Sequence, residues 1–280
     1  MVKKINDISV IGAGYLGKQI IEKSLLYNYN IKVFDTNTRD LKQFIEEMRK
    51  KITEKKLKAT ITPYPSISEA VKEVDLVIEA VPEQLELKKE VFSEIEKEAL
   101  PNTIIATNSS SIPVSKIEDA VKRKDKVINI HFYDLFRMPL ADIMRGTQTS
   151  DETFEKGKKW LESIDITPLE VKKECYGFVM NRIWRAIKKD CLKIWAGGHA
   201  DIETVDKAWK TFCQFFVNTN FGPFYFMDRI GLDVVYDIEM SYFKNSGIPD
   251  DKPPDKLKEM VERGEMGVKS GKGFYNYKIK

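Results

Sequence analysis

At 280 residues, with 42% hydrophobic and 32% charged residues, the chain is long enough for two domains and has the composition of a globular protein. Its 46 basic and 43 acidic residues leave a net charge of +3, too even a balance for the broad basic field of a non-specific nucleic-acid binder. No apolar stretch reaches the roughly 20 residues of a spanning helix, and because Met1-Val2-Lys3-Lys4-Ile5-Asn6-Asp7 runs almost at once into a strand, no secretory signal is expected. Cys175, Cys191 and Cys213 form no Cys-x-x-Cys pair, which argues against a disulfide framework or a zinc site. The expectation is a cytoplasmic protein with no metal and no membrane or nucleic-acid partner.

Ile8-Ser9-Val10-Ile11 is a short apolar run ending in glycines, and Leu16, Ile20, Ile21, Leu25 and Leu26 follow at helical spacing. A strand, a tight turn and a helix are expected, joined through Gly12-Ala13-Gly14-Tyr15-Leu16-Gly17. In a dinucleotide-binding unit of this pattern Gly12 allows the turn, Gly14 lets the backbone approach a pyrophosphate, and Gly17 permits close packing of the helix. The helix N-terminus then presents unpaired N–H groups and a positive dipole end to the phosphates. Ile31-Lys32-Val33-Phe34-Asp35 reads as a second strand closed by an acid. Asp35 is placed to accept hydrogen bonds from ribose hydroxyls and to repel a 2′-phosphate, which favours NAD over NADP.

Further strands are expected over 75–80, 103–107, 127–130 and 141–144, with helical patterns between several of them, notably from Leu85 to Leu100. Such alternation implies a largely parallel, doubly wound sheet, whose ligands bind outside the carboxyl ends of the strands. Those ends carry Pro82-Glu83, Asn108-Ser109-Ser110-Ser111 and His131. From about residue 176 the pattern becomes helical, with Met180, Ile183, Trp184, Ile187, Cys191, Ile194 and Trp195 on one stripe that Gly197-Gly198 ends. Asp201 reads as the N-cap of the next helix, and another helix is expected from Leu232 to Phe243. The aromatic run Phe212, Phe215, Phe216, Phe221, Phe224, Tyr225 and Phe226 reads as core plus subunit interface, or as the wall of an acyl pocket.

Taken in order, several segments resemble the 3-hydroxyacyl-CoA dehydrogenases. They are the glycine loop, Ile78-Glu79-Ala80-Val81-Pro82-Glu83, Ala106-Thr107-Asn108-Ser109-Ser110-Ser111, His131-Phe132 and Gly177-Phe178-Val179-Met180-Asn181-Arg182. Phe221-Gly222-Pro223, Ile230-Gly231-Leu232-Asp233 and Lys269-Ser270-Gly271-Lys272-Gly273-Phe274-Tyr275-Asn276-Tyr277 complete the set. The resemblance implies an α/β, Rossmann-like doubly wound, mainly parallel sheet over residues 1–175, binding NAD. An all-helical C-terminal domain over 176–280 follows, which takes part in substrate binding and forms a homodimer. The implied reaction is the reversible oxidation of an L-3-hydroxyacyl-CoA to the 3-oxoacyl-CoA, as in fatty acid metabolism.

By the same resemblance His131 is the general base, a task that suits an imidazole near neutral pH. Asp142, aligned with a gap of one residue, stands where the family has glutamate and orients that imidazole. Its shorter side chain demands a closer backbone; the alternative is a plain strand-end acid. Ser110 and Asn181 match positions that hydrogen-bond the substrate oxygen, with a turn or cap and a helix start as their structural alternatives. Gly12, Gly14, Tyr15, Leu16, Gly17, Asp35, Glu83, Lys88, Ser110, Asp134 and Lys269 are implied at the cofactor, the lysines being otherwise solvated charges. The sharpest departure is Asp134-Leu135 in place of the family's Asn-Pro: Asp134 either raises the proton affinity of His131 or is itself protonated in a dry cleft. Lys42, Arg49, Lys50, Lys51, Lys55, Lys56 and Lys58 fall where the family contacts CoA phosphates, or form a solvated face with Glu46, Glu47 and Glu54. Alternative expectations are a dehydrogenase of a non-CoA or modified 3-hydroxy acid and, in another class, a non-catalytic NAD-binding dimer.

Overall fold

The computed structural model describes residues 5–219 and 222–278; Met1-Val2-Lys3-Lys4 and Phe221, which enter the sequence reading, lie outside the described residues. Contacts divide the chain into two compact units, Met1–Lys188 and Lys189–Lys280. Among the described residues the first unit holds eight strands: β1 (Asp7–Ile11), β2 (Asn30–Phe34), β3 (Ile61–Pro63), β4 (Leu76–Glu79), β5 (Ile104–Thr107), β6 (Val127–Phe132), β7 (Leu140–Arg145) and β8 (Thr167–Val171). Its helices are α1 (Tyr15–Leu26), α2 (Thr38–Glu54), α3 (Ile67–Ala70), α4 (Leu85–Glu98), α5 (Val114–Ile117) and α6 (Asp151–Ser163).

The strands form one sheet in the order β3-β2-β1-β4-β5-β6-β7-β8. Every neighbouring pair is parallel except β6 and β7, so the mainly parallel, doubly wound sheet is as the sequence implied. Because β1 is followed by β2 on one side and flanked by β4 on the other, the chain reverses direction across the sheet there. A crevice opens at such a switch point, beyond the carboxyl ends of the strands.

Alternation along the strands sends side chains to two apolar layers. Ile8 and Val10 pack with Ile20, Leu25, Phe44 and Trp160 of α1, α2 and α6. Ile11 and Val77 pack with Ile67, Phe92 and Val114 of α3, α4 and α5. Strands β4, β5 and β6 are buried along their whole length, as expected for a sheet covered on both faces.

Helix α7 (Met180–Ala196) runs across the boundary between the units and ends where Gly198 takes a left-handed φ of +68°. Beyond it lie α8 (Ile202–Thr219), α9 (Pro223–Ile230), α10 (Leu232–Ser246) and α11 (Asp255–Glu262). Asp201 caps α8 by accepting the Thr204 N–H at 2.7 Å. Leu232, Val235 and Leu257 form a small core between α10 and α11. Neither α7 nor α8 has a buried residue, and Leu192, Trp195 and Phe212 are more than half exposed. Phe212, Phe215, Phe216 and Phe226 pack on one another, with Phe216 and Phe226 centroids 5.1 Å apart, while Phe224 meets Phe274 and Tyr225 meets Tyr275 and Tyr277. Among the described residues no helix is long and apolar enough to cross a membrane.

Candidate active site

At the end of β1, Gly12 has a φ of +99°, and a Cβ on it would lie 2.6 Å from the Ala80 carbonyl oxygen. A Cβ on Gly17 would lie 2.0 Å from the Gly12 oxygen, so the turn and α1 pack without room for larger side chains. Gly14 is different: nothing lies within 4 Å of an added Cβ, and the backbone at the start of α1 is open to a ligand. Tyr15 is exposed, and Leu16 packs against the core beneath. Asp35 accepts the Ala13 N–H at 2.6 Å and the Asn37 N–H at 2.7 Å, tying the loop to the end of β2.

Beside Asp35 a cavity of about 450 Å³ is lined by Phe34, Leu41, Lys42, Arg49 and Tyr64. Open backbone at Gly14, free N–H groups at the α1 terminus and an acid on a cavity of this size fit the pyrophosphate and adenosine of a dinucleotide. Of the basic residues noted around α2, Lys42 and Arg49 thus face this cavity, whereas Lys51 pairs with Glu22 and Lys50 lies 3.8 Å from Glu54.

A chain of charges joins the next two strand ends. Glu79, fully buried on β4, accepts Lys88 Nζ at 2.8 Å, the Val81 N–H at 2.8 Å and the Thr107 hydroxyl at 2.6 Å. Lys88 is 1% exposed, which overturns its reading as a solvated charge. Its ammonium also reaches the Val81 carbonyl at 3.2 Å and Glu83 Oε2 at 3.3 Å, so its three protons are all directed at protein acceptors. Glu83 Oε1 in turn accepts the hydroxyls of Ser109 (2.7 Å) and Ser111 (2.8 Å) and the N–H groups of Ser110 (3.0 Å) and Ser111 (2.8 Å). This carboxylate moulds the serine loop after β5.

Burial alone would push the Glu83 carboxyl up, but the Ser109 and Ser111 hydroxyls, the Lys88 charge and the Ser111 N–H outweigh it and hold it at about 2, against an ordinary 4.5. Because the folded carboxyl is the more acidic, its contribution to stability is complete above the unfolded value and is lost as pH falls toward 2. After allowance for solvent screening of a side chain one-third exposed, the contribution is about 1–2 kcal/mol. Urea midpoints of the protein and of Glu83→Gln are expected to differ at neutral pH and to converge below pH 4.5. A gap that persists to pH 2 would contradict the assignment.

His131 lies within β6 and faces Asp142 directly across the antiparallel pair with β7. Its Nδ1 is 3.5 Å from Asp142 Oδ2, with His131 5% exposed and Asp142 fully buried. Asp142 therefore sits in mid-strand opposite the imidazole, not at a strand end, and the register supplies the close backbone that the shorter side chain requires. Its other oxygen accepts the Val179 N–H at 3.4 Å. Phe178 packs against the imidazole with centroids 5.3 Å apart. Asn129 donates to the Ser109 carbonyl at 3.1 Å and Asn108 accepts the Phe132 N–H at 3.0 Å, fixing the serine loop to the strand that carries His131.

Sequence reasoning missed Tyr133, whose hydroxyl donates a short hydrogen bond to Asp142 Oδ2, the same oxygen that faces His131. The signal available was proximity alone, since Tyr133 follows β6 directly, two residues after His131. Ser110 and Asn181 are both partly exposed, on the serine loop and in the first turn of α7. Lys269 belongs to the second unit, where it pairs with Asp233 at 2.6 Å.

Asp134 departs from both expectations for it. Its Oδ1 accepts the N–H groups of Arg137 (2.9 Å) and Phe136 (3.1 Å), while Oδ2 accepts the Tyr15 hydroxyl at 3.3 Å. The N–H groups of Arg137 and Phe136, with the Tyr15 hydroxyl and the Arg137 charge, hold the carboxyl below its ordinary value, so it is ionised. The carboxylate caps a turn instead of addressing the imidazole. Leu135, standing where the family has proline, is fully buried and donates its N–H to Gln19 Oε1 at 2.9 Å.

An imidazole and a carboxylate set on a sheet that also carries a dinucleotide loop define an NAD-dependent oxidoreductase. Comparison narrows the class. Residues 7–175 match the model for the 3-hydroxyacyl-CoA dehydrogenase NAD binding domain, and residues 177–277 match that family's C-terminal domain. The chain belongs to the 3-hydroxyacyl-CoA dehydrogenase family. A probable 3-hydroxyacyl-CoA dehydrogenase of Caenorhabditis elegans is 31% identical over 298 residues, covering 99% of this chain and 94% of the relative. The crystal structure of a 3-hydroxyacyl-CoA dehydrogenase from Archaeoglobus fulgidus is similar at 30% identity and a TM-score of 0.81, over 98% of this chain and 93% of that one. A diketoreductase described as catalysing reactions of dicarbonyl compounds is similar at 29% identity and a TM-score of 0.68, over 98% of this chain and 100% of the other.

Proposed function

We propose that this protein oxidises an L-3-hydroxyacyl-CoA reversibly to the 3-oxoacyl-CoA, with His131 as the base; the pairing of His131 with Asp142 across β6 and β7 carries the reading. A carboxylate only accepts, so the neutral ring keeps its proton on Nδ1 toward Asp142 and leaves the Nε2 lone pair free. Nε2 takes the proton of the C3 hydroxyl, and Asp142 stabilises the imidazolium that forms. NAD, when bound, supplies the hydride acceptor. Ser110 and Asn181 donate to the oxygen on which charge develops.

Gly12, Gly14, Tyr15, Leu16 and Gly17 hold the cofactor together with Asp35; Glu83 shapes the serine loop beside it. Lys88 acts through Glu83, and Asp134 acts through Tyr15. Lys269 is the contribution of the C-terminal domain. The domains are residues 1–175 for NAD and 176–280 for substrate and dimerisation, a division supported by the spans of the two family matches. The exposed apolar faces of α7 and α8 support a homodimer, since so much exposed aromatic surface is unusual on a monomer. A cytoplasmic place in fatty acid metabolism accords with this chemistry.

The experiment is NADH absorbance after adding the protein to NADH and acetoacetyl-CoA, with NADPH and free acetoacetate in parallel. Oxidation with NADH and the thioester alone is the expected result. The likeness to the diketoreductase favours a second reading, reduction of a free dicarbonyl, and equal rates with free acetoacetate would transfer the assignment to it. Asp35→Ser is expected to narrow the preference for NADH over NADPH by about tenfold or more, a change of 1.4 kcal/mol, because the charge that repels a 2′-phosphate is gone. Its KM for NADH should rise as well, since Ala13 loses its acceptor. An unchanged ratio of the two kcat/KM values would place the ribose elsewhere.

A further inference from the structure

Asp142 Oδ2 has two claimants. Nδ1 of His131 stands at 3.5 Å, the long limit of a hydrogen bond, while the phenol of Tyr133 donates to the same oxygen in a short one. The other oxygen, Oδ1, accepts the Val179 N–H at 3.4 Å. Tyr133 is placed for this by following β6 directly, two residues after His131, and its ring meets the imidazole edge-on at 4.6 Å. Burial, then the bond to Asp142 and the carboxylate charge, push the phenol well up from its ordinary value, opposed by the N–H groups of Asn181 and Met180 that face its oxygen. The phenol therefore stays protonated and remains a donor to Asp142 throughout the range in which an imidazole titrates.

We propose that Tyr133 is a positioning residue that draws Asp142 away from His131, lowering the affinity of the imidazole for a proton and keeping it a ready acceptor near neutral pH. A carboxylate that already accepts a strong O–H bond offers less negative potential to an imidazolium. The groups facing the pair are few. They are His131 on β6, Tyr133 just after that strand, and on β7 Asp142 itself, opposite Leu169 of β8. Cys175, Phe178 and Val179 approach from the segment before α7, where the thiol points at the Phe178 carbonyl, and the N–H groups of Met180 and Asn181 face the phenol. Among the described residues Asp142 is the one charged side chain bonded to His131. The inference rests on His131 being the base, and it adds that the site is biased toward oxidation by the Tyr133 hydroxyl.

The test is Tyr133→Phe in the full chain, read in two ways. The chain has two histidines, so ¹H–¹⁵N spectra of the substrate-free protein follow the His131 ring with His199 as an internal reference. The pH midpoint of the His131 resonances is expected to rise by about half to one unit, and the acidic limb of kcat/KM for 3-hydroxybutyryl-CoA oxidation should move with it. Below that limb the variant should be about three- to tenfold slower than the parent, with near-equal rates on the alkaline plateau. A uniform loss at all pH values with an unmoved midpoint would show a merely structural tyrosine and overturn the proposal.

If Tyr133→Phe does not fold, 3-fluorotyrosine placed at position 133 supplies the opposite perturbation. A more acidic phenol donates more strongly, so the midpoint should fall, and a midpoint that stays in place overturns the proposal equally. Absence of turnover on every thioester, with the midpoint still shifted, would refute the substrate assignment while sustaining the link between Tyr133 and His131.

Discussion

His131→Gln is expected to lower kcat for 3-hydroxyacyl-CoA oxidation by about 10²–10⁴-fold, the range that a positioned general base contributes. Glutamine fills much of the imidazole volume against Tyr133 and Phe178 but offers no nitrogen that accepts and holds a proton near neutrality. Asp142 retains the Tyr133 hydroxyl and the Val179 N–H, so the buried carboxylate is not left without donors and the sheet should remain intact. NADH affinity should be nearly unchanged, because the glycine loop and Asp35 lie at the ends of β1 and β2, several strands away in the sheet order. Steady-state kinetics together with a fluorescence titration of NADH separates these effects. Full turnover in the variant would remove His131 from the mechanism; a matched loss of NADH binding would make it a structural residue.

Lys88→Met should be among the most destabilising single changes available in the first unit. Methionine nearly preserves the volume, yet it leaves the Glu79 carboxylate buried beside only the Thr107 hydroxyl and the Val81 N–H. Removing one partner of a buried pair costs about 3–5 kcal/mol, which for a unit of this size corresponds to a fall of roughly 10 °C or more in Tm. The double variant with Glu79→Gln is expected to recover much of the loss, because no uncompensated charge then remains. KM for NADH should rise in the single variant as Glu83 loses its counter-charge and the serine loop loosens. A Tm equal to the parent's would mean that water reaches Glu79 and that the pair is not buried.

The glycine loop and Asp35 were legible because their chemistry is written in local spacing: a turn, a helix start and the end of the next strand lie at fixed distances along the chain. Strands β3 and β8 were not read. Each lies at an edge of the sheet, each contains a proline, Pro63 or Pro168, and neither shows the long apolar run of the central strands. The place of Asp142 opposite His131 depended on a hairpin register that no linear pattern specifies.

Lys88 was misread as potentially solvated because its partners stand nine and five residues upstream, on β4 and in the loop after it. The helical stripe Leu85, Lys88, Val91, Phe92 and Ile95 nevertheless put it on the buried face of α4. Asp134 looked like an intruder at a cofactor position, whereas Asp followed by the N–H groups of the second and third residues on is an ordinary way to close a turn.

The arrangement around Glu83 has a consequence for when the site takes its shape. Successive N–H groups of a loop commonly form a concavity that collects an external anion, and the order of such a loop then arrives with its ligand. In this chain the concavity over residues 109–112 is filled by a carboxylate from the same protein. Ordering of the loop is thus completed during folding, and the entropy of fixing Ser110 is already spent when substrate enters. In the proposed reaction the Ser110 hydroxyl would meet the substrate on a preorganised frame, keeping binding free energy for the reacting oxygen instead of consuming it in arranging the loop.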